Sequence, residues 1–162
     1  VLFMRYDVRF PADTPASQDN KTICAFHSDF IKELGRKGFD PHYVAVREQS
    51  REKHQHYHGI LLLDGNKTQN IESHIATAEA VWRRKLNAPP GRGLIDACTT
   101  ARDGQVQENG IMLRRDDPQY EEKIDRCFHW ASYLAKERQK SSTPEGQRQL
   151  FASRTKKQTD KK

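Results

Sequence analysis

Hydrophobic and polar positions follow two periods along the chain, one typical of strands and the other of helices. Residues 2 to 10 (LFMRYDVRF) mix aliphatic, aromatic and charged side chains without helical spacing and stop at a proline, which predicts a strand. Apolar residues then recur at helical spacing over 23–34, which predicts a first helix. Asp19 or Asn20 is placed to cap its start, and Gly35 is placed to end its last turn.

Two strand-like segments follow, separated by a short polar stretch. Residues 42–48 (HYVAVRE) and 56–63 (HYHGILLL) flank the segment QSREKHQ, so we predict an antiparallel hairpin. Apolar residues at helical spacing over 71–86 predict a second helix. Asn70 is its expected cap, and the helix should stop before Pro89 and its neighbouring proline.

The last third of the chain predicts two further strands and a third helix. Residues 94–99 and 110–114 are the expected strands, placed around a turn at Asp103-Gly104. After the acidic, proline-containing segment 116–118, a helix should run to about Lys140. This order of elements predicts a two-layer α+β domain, in which helices cover an antiparallel sheet.

Length and composition are those of one globular domain. The chain has 162 residues, of which 35% are hydrophobic and 31% charged. No apolar run approaches the ~20 residues that span a bilayer, so we expect a cytoplasmic protein without a membrane partner. Three cysteines, odd in number and far apart, indicate reduced core residues rather than disulfides or paired zinc ligands: Cys24, Cys98 and Cys127.

The net charge of +6 is unevenly distributed. Residues 140–162 hold seven Lys/Arg and two acids, whereas the remainder of the chain has a net charge of only +1. We therefore assign residues 1–140 to the folded domain and 141–162 to a basic, flexible tail that is poor in apolar residues. A basic tail is weak evidence for a polyanionic partner, because such tails are usually solvated.

The start of the second hairpin strand carries candidate metal ligands. His54, His56 and His58 alternate along the strand and so share one face, with neighbours ~6.6–7 Å apart. Glu48 is in phase with the apolar residues of the partner strand, and closure of the hairpin would bring its carboxylate near His56 or His58. Two imidazoles and one carboxylate suit Mn²⁺ or Mg²⁺, and also Fe²⁺ or Zn²⁺ by ligand type.

The alternative interpretation is a surface strand in which His56 and His58 only form hydrogen bonds. The aliphatic residues that follow place the strand in the core, where an unpaired polar group costs ~1–3 kcal/mol, and this favours a metal. His54, at the loop end, fits a solvated or DNA-contacting residue better than a ligand.

The third predicted helix offers a candidate nucleophile. Tyr133 lies outside its apolar stripe, and Lys136 follows three positions later on the neighbouring surface. A phenol attacks well only where a metal or cation polarises the electrophile and stabilises the departing oxygen. The alternative is an amphipathic helix with a solvated Tyr and Lys at its edge. The expected stripe is Ile124, Cys127, Phe128, Ala131, Leu134 and Ala135.

Together these motifs resemble the HUH endonuclease superfamily, whose members nick single-stranded DNA at replication or transfer origins. The matching residues are Glu48, His56-Tyr57-His58 and Tyr133-Leu134-Ala135-Lys136, in the order of single-tyrosine rolling-circle replication initiators. The stretches VAVRE, HYHGILLLDG and WASYLAKE look most like inovirus gene-II-type replication proteins of filamentous phages and prophages, as does the closing segment 149–154. The resemblance implies a five-stranded antiparallel sheet of ferredoxin/RRM-like topology with the HUH strand at its centre.

The resemblance also implies an activity. Glu48, His56 and His58 would hold Mn²⁺ or Mg²⁺, and Tyr133, helped by Lys136, would form a 5′-phosphotyrosine and release a 3′-OH. The partners would be single-stranded DNA or an origin hairpin, and a host helicase or replication machinery. Because the chain has no Walker-type motif, a helicase would be a separate protein or a part of this protein outside these 162 residues. The first strand also lacks the Phe-Thr-type motif of many initiators. Candidate DNA contacts are Arg47, Arg51, Lys53 and His54.

Two rival functions remain on the same fold. One is a DNA-binding regulator without chemistry, which the presence of every catalytic residue type disfavours. The other is a metal-dependent phosphodiesterase that uses water, in which Tyr133 is structural.

Overall fold

The protein forms one antiparallel sheet with three helices. A computed structural model describes residues 1–13, 18–48, 55–91, 94–101, 103–138 and 144–154. The strands are β1 (Leu2–Arg9), β2 (His42–Glu48), β3 (His56–Leu63), β4 (Ile95–Asp96), β5 (Ile111–Met112) and β6 (Leu150–Ala152). The helices are α1 (Lys21–Arg36), α2 (Ile71–Leu86) and α3 (Tyr120–Arg138). The predicted α+β fold is confirmed.

The sheet is built around β3, which pairs along its whole length with β1 and from His56 to Leu62 with β2. The strand order is β4-β1-β3-β2-β6, and β5 also pairs with β1. β1 pairs with β3 from Leu2 opposite Leu63 to Arg9 opposite His56. On the other side of β3, Glu48 of β2 also lies opposite His56. The predicted hairpin and the central position of the histidine strand are therefore confirmed.

Side-chain alternation divides the core between the two faces of the sheet. The larger cluster packs α1 and α2 against one face and includes Tyr6, Phe26 and Trp82. The smaller cluster packs α3 against the other face through Phe3, Val46, Ile60, Ile111, Cys127 and Leu134. Helices thus cover both faces of the central strands.

β3 requires a glycine at position 59, because the ring of a β1 residue lies against its backbone there. A Cβ added to Gly59 would overlap the ring of Tyr6, which is buried on β1. Gly59 lies opposite Tyr6 in the strand register. The glycine after the second histidine therefore leaves room for an aromatic ring of the larger cluster.

Helix boundaries agree with the predictions except at the end of α1. Asn70 caps α2 by accepting a hydrogen bond from the backbone N–H of Ser73. Gly35, predicted to end α1, lies inside the helix, and the glycine in the left-handed region is Gly38, with φ of 78°. The helical spacing of apolar residues ends at Leu34, so this spacing could not predict the last residues of the helix.

The two short strands near residue 100 were predicted too long. β4 and β5 each have two residues, and both pair with β1 rather than with each other. Between them, Thr100 and Val106 form an isolated bridge around the expected turn. On the same edge of β1, Oδ1 of Asn109 accepts from the backbone N–H of Arg5, and Nδ2 of Asn109 donates to the carbonyl oxygen of Arg5, so a side chain takes the place of a paired strand there.

Part of the segment predicted to be a flexible tail belongs to the sheet. Leu150–Ala152 form β6, which pairs antiparallel with β2, and Phe151 is buried in the larger cluster. The prediction that the folded domain ends at residue 140 is therefore wrong, because the domain includes Leu150–Ala152. The sheet has six strands, one more than the resemblance implied.

The three cysteines are free, as predicted, but only one is a core residue. Cys127 is buried, Cys98 is partly buried, and Cys24 is exposed on α1. Within the described ranges, no helix combines the length and the apolar character that crossing a bilayer requires.

Candidate metal centre

Strand alternation and hairpin register bring three predicted ligands to one place. His56 and His58 lie on the face of β3 that also carries Ile60, and this is the face covered by α3. Glu48 is the last residue of β2 and lies directly opposite His56. Tyr57, between the histidines, is fully buried in the larger cluster on the opposite face, as strand alternation requires.

The carboxylate of Glu48 contacts both imidazoles. Its Oε2 lies 3.0 Å from Nε2 of His56 and 2.7 Å from Nε2 of His58. One ligand atom from each of the three residues lies within 4.8 Å of the others. The three side chains are 17–23% exposed, so their polar ends are reachable from solvent while their stems pack in the sheet.

A second carboxylate, which the sequence analysis missed, supports this group from β1. Asp7 lies opposite His58 in the register, and its Oδ1 accepts a hydrogen bond of 2.8 Å from Nδ1 of His58. Such a bond fixes the ring orientation and leaves Nε2 to face Glu48. The available signal was the single acid of a strand whose other charged residues, Arg5 and Arg9, are basic.

The charges of the site favour a proton on His58. Burial opposes this, but the hydrogen bond and charge of Asp7, followed by those of Glu48, raise the pKa of His58 to about 9. The pKa of His56 is lowered by desolvation and by repulsion from His58. The pKa of Asp7 is lowered despite its burial, because His58 donates to it. A divalent ion would bind here by replacing the proton on His58.

The donor set fits a divalent ion. Two ligand atoms that lie ~2.1 Å from an octahedral ion at right angles are ~3.0 Å apart, close to the two Glu48–histidine separations. Two imidazole nitrogens and one carboxylate oxygen are mixed ligands that leave coordination positions open. The predicted ligand set is therefore brought together, and it does not select one metal.

The family model of the YagK/YfjJ C-terminal domain matches residues 1–152. The chain belongs to this family. A solved structure to which this YagK/YfjJ domain is similar is the catalytic domain of the Adeno Associated Virus type 5 Rep protein. The TM-score is 0.45 and the identity 10%, over 82% of this chain and 98% of that one. None of the curated proteins matches the chain.

The predicted nucleophile lies on the helix that covers the metal face of this YagK/YfjJ domain. Tyr133 is 49% exposed, whereas the next residue, Leu134, is buried in the cluster that contains Val46 and Ile60. Val46 and Ile60 are each two positions from a predicted ligand on the same face of their strand. Lys136 follows within α3, but its side chain lies outside what the structure describes.

The apolar stripe of α3 is rotated relative to the prediction. Phe128, expected in the stripe, is 67% exposed, and Trp130 takes its place on the sheet side. The Arg5 guanidinium lies 3.5 Å from the centre of the Trp130 ring and donates to the carbonyl oxygens of Cys98 and Glu108. A cation on β1 can pair with an aromatic ring in this way, which spacing within one helix does not reveal.

Arg47 was predicted to contact DNA, and this prediction is wrong. Its side chain is fully buried on the face opposite Glu48, because neighbouring strand residues point to opposite faces. Its guanidinium donates to the carbonyl oxygen of Gln18 and to Oδ1 of Asn20. Asn20 also accepts from the hydroxyl of Tyr57, so it ties the start of α1 to two strands rather than capping the helix.

The other predicted DNA contacts, Arg51, Lys53 and His54, lie outside the described residues. A basic residue that the sequence analysis missed does flank the centre. Arg9 lies opposite His56, its side chain is 54% exposed, and its guanidinium is 3.8 Å from Asp7 and 3.4 Å from Asp96. The metal centre therefore has a positive group at its rim.

Proposed function

We propose that this domain is a metal-dependent endonuclease that nicks and rejoins single-stranded DNA through attack by Tyr133. The observation that carries the proposal is the convergence of Glu48, His56 and His58 on one point of the sheet face that α3 covers. The sequence order of these ligands and of Tyr133 adds the resemblance to single-tyrosine HUH endonucleases. Replication initiation at an origin, in a phage or prophage, is the finer role that this resemblance suggests.

In this mechanism Glu48, His56 and His58 would hold a divalent ion, Mn²⁺ or Mg²⁺, and such an ion would supply Lewis-acid polarisation of the scissile phosphate. Asp7 holds the His58 ring in the orientation that keeps Nε2 on the ion side. Arg9, at the rim, is placed to contact a neighbouring phosphate of the strand.

Tyr133 supplies the nucleophile. Its phenolic oxygen loses a proton and bonds to phosphorus, the bond from phosphorus to the 3′-oxygen breaks, and that oxygen takes up a proton. The products are a 5′-phosphotyrosine and a free 3′-OH. Covalent attachment retains the bond energy, so the 3′-OH can later attack the same phosphorus and rejoin the strand. We assign to Lys136, three residues after Tyr133 in the sequence, the role of stabilising the leaving oxygen.

Labelled DNA tests the proposal. The protein is incubated with single-stranded oligonucleotides of randomised sequence, labelled at either the 5′ or the 3′ end, in the presence of Mn²⁺. We expect a covalent adduct that carries only the 3′ label, because the tyrosine joins the 5′ phosphate of the downstream fragment. Cleavage without an adduct would instead favour the water-using phosphodiesterase, and binding without cleavage would favour the DNA-binding regulator.

Matched variants assign the roles. Tyr133→Phe should abolish the adduct while leaving Mn²⁺ binding unchanged, and Tyr120→Phe, at the start of the same helix, should retain the adduct. Persistence of the adduct in Tyr133→Phe would disprove the nucleophile assignment. The double variant His56→Ala/His58→Ala should lose both metal binding and nicking.

A further inference from the structure

A cavity unrelated to the metal centre lies between α1 and the edge formed by β2 and β6. Its volume is about 710 Å³, within the ~300–1,000 Å³ typical of small-molecule sites. It lies on the α1 face of the sheet, whereas the metal ligands lie on the α3 face. On β2 it reaches only His42 and Tyr43, which are about 17–20 Å along the strand from Glu48.

The lining combines aromatic surface with cationic groups at the rim. Tyr43 and Phe151 provide ring surface, and the exposed Arg148 and Arg154 provide two guanidinium groups. The acid among the described lining residues, Asp40, lies 3.7 Å from His42, which also lines the cavity. An aromatic wall beside two arginines suits a flat ring that carries an anionic group.

A buried histidine supports the aromatic wall of this cavity. His27 lines it and is 1% exposed, with Nε2 3.1 Å from the Tyr6 hydroxyl. Nδ1 of His27 has no hydrogen-bond partner among the residues that the structure describes. The ring stacks on Tyr43 with centroids 4.3 Å apart. Because this nitrogen is itself buried, it does not contact the contents of the cavity, and the role of the His27 ring is to support Tyr43.

We propose that this cavity binds a nucleotide unit, with the base against Tyr43 and the phosphate at Arg148 and Arg154. A nucleobase supplies the flat ring, and its phosphate supplies the negative charge. The unit is either a free nucleoside monophosphate or an unpaired nucleotide within a strand. The proposal does not depend on nuclease activity, because it uses no residue of the metal centre.

Cys24 gives a direct readout, since its exposed thiol lines the cavity. The rate at which iodoacetamide alkylates Cys24 is measured by peptide mass spectrometry, with and without each deoxynucleoside monophosphate or inorganic phosphate. At 10 mM, a ligand that binds with Kd of about 1 mM should slow alkylation about tenfold. We expect at least one nucleotide to protect and phosphate not to. Absence of protection by every nucleotide, or equal protection by phosphate, would overturn the proposal.

Two variants locate the ligand. Ser28→Trp places a large ring in the cavity from an exposed position of α1 and should abolish protection. Arg148→Gln/Arg154→Gln should weaken binding about tenfold or more, whereas Arg115→Gln, at an exposed arginine elsewhere, should leave it unchanged. Full protection in both the Ser28 variant and the double arginine variant would place the ligand elsewhere and overturn the site.

Two further experiments distinguish a free nucleotide from a strand as the ligand, and the cavity from the metal centre as the binding site. Protection by a trinucleotide at lower concentration than by a mononucleotide supports a strand as the ligand, and the reverse supports the free nucleotide. Protection should persist in EDTA and in Glu48→Gln, in which metal-dependent nicking is lost. A protection that disappears with Glu48→Gln would show that the nucleotide binds at the metal centre and would overturn the separate site.

Discussion

Asp7 and His58 face each other across the β1–β3 pair, and a hydrogen bond of 2.8 Å joins Oδ1 of the acid to Nδ1 of the imidazole. The same imidazole presents Nε2 to Glu48 on the other neighbouring strand. Three adjacent strands thus contribute to one polar group, and His58 is its centre. Because the backbone ladders fix these strands, the ring is held without support from a loop.

Replacing Asp7 should weaken metal binding. Asp7→Asn retains the size of the side chain but removes the charge that orients and polarises His58, and loss of such a partner typically costs ~10–100-fold in metal affinity. We expect a loss in this range for Mn²⁺ by isothermal titration calorimetry. Asp125→Asn, at an exposed acid on α3, is the control. Equal affinity of Asp7→Asn and the wild type would show that His58 needs no such support.

Metal binding should stabilise the fold. Mn²⁺ at 100 times its Kd should raise the free energy of unfolding by about 2.7 kcal/mol, which is about 5–10 °C in Tm for a domain of this length. EDTA should reverse the increase in a thermal melt. Glu48→Gln should show no increase, and a full increase in that variant would place the ion outside the Glu48–His56–His58 group.

Two glycine substitutions should change stability in opposite directions. Gly59→Ala forces a methyl group into the Tyr6 ring and should lower the free energy of unfolding by about 1–3 kcal/mol. Gly35→Ala lies inside α1 and meets only Pro41, at 4.0 Å, so it should raise stability by about 0.5–1 kcal/mol. Urea titration of both variants tests this, and a neutral Gly59→Ala would mean that Tyr6 moves aside freely.

Acid should destabilise the fold through His27. Burial lowers the pKa of this imidazole to about 3, below the ~6.5 of an unfolded chain, so the unfolded state binds the proton first. The stabilisation is therefore complete above pH ~6.5 and is lost as the pH falls towards 3, by about 3 kcal/mol at pH 4.

The comparison variant is His27→Gln, which cannot take up a proton in this range. Its free energy of unfolding should fall less steeply between pH 6.5 and 4 than that of the wild type, as measured by urea titration at each pH. Parallel pH profiles for the two proteins would show that His27 is protonated while folded. Tyr6 and Tyr43, the titratable groups around the ring, keep their protons throughout this range because burial raises their pKa values.

The sequence predicts the metal group better than it predicts the surroundings of that group. Glu48, His56 and His58 are separated by few residues, so strand alternation and one hairpin register are enough to place them. Asp7 is 51 positions from His58, and its contact depends on which strand lies beside β3. No local period carries that information, and for the same reason Trp130 was not expected to meet Arg5.

Arg47 shows the limit of an argument from chain neighbourhood. It is adjacent to Glu48 in the sequence, which suggested a shared site, yet alternation sends it into the opposite core. There its guanidinium donates to the carbonyl oxygen of Gln18 and to Oδ1 of Asn20, two residues that precede α1. The residue pattern was enough to predict β2 as a strand. Which of its polar residues is buried depends on the helices that pack on each face of the sheet, and the pattern does not give these.

The pairing of β6 with β2 bears on the choice of a shortened protein for expression. A chain ended at residue 140 would lack the three residues whose backbone pairs with Val44, Ala45 and Val46. The outer edge of β2 would then present bare N–H and C=O groups beside the half-exposed Val44, which is a template for aggregation. Retaining residues up to 154 should therefore decide whether the recombinant domain is recovered as a monomer or as insoluble material.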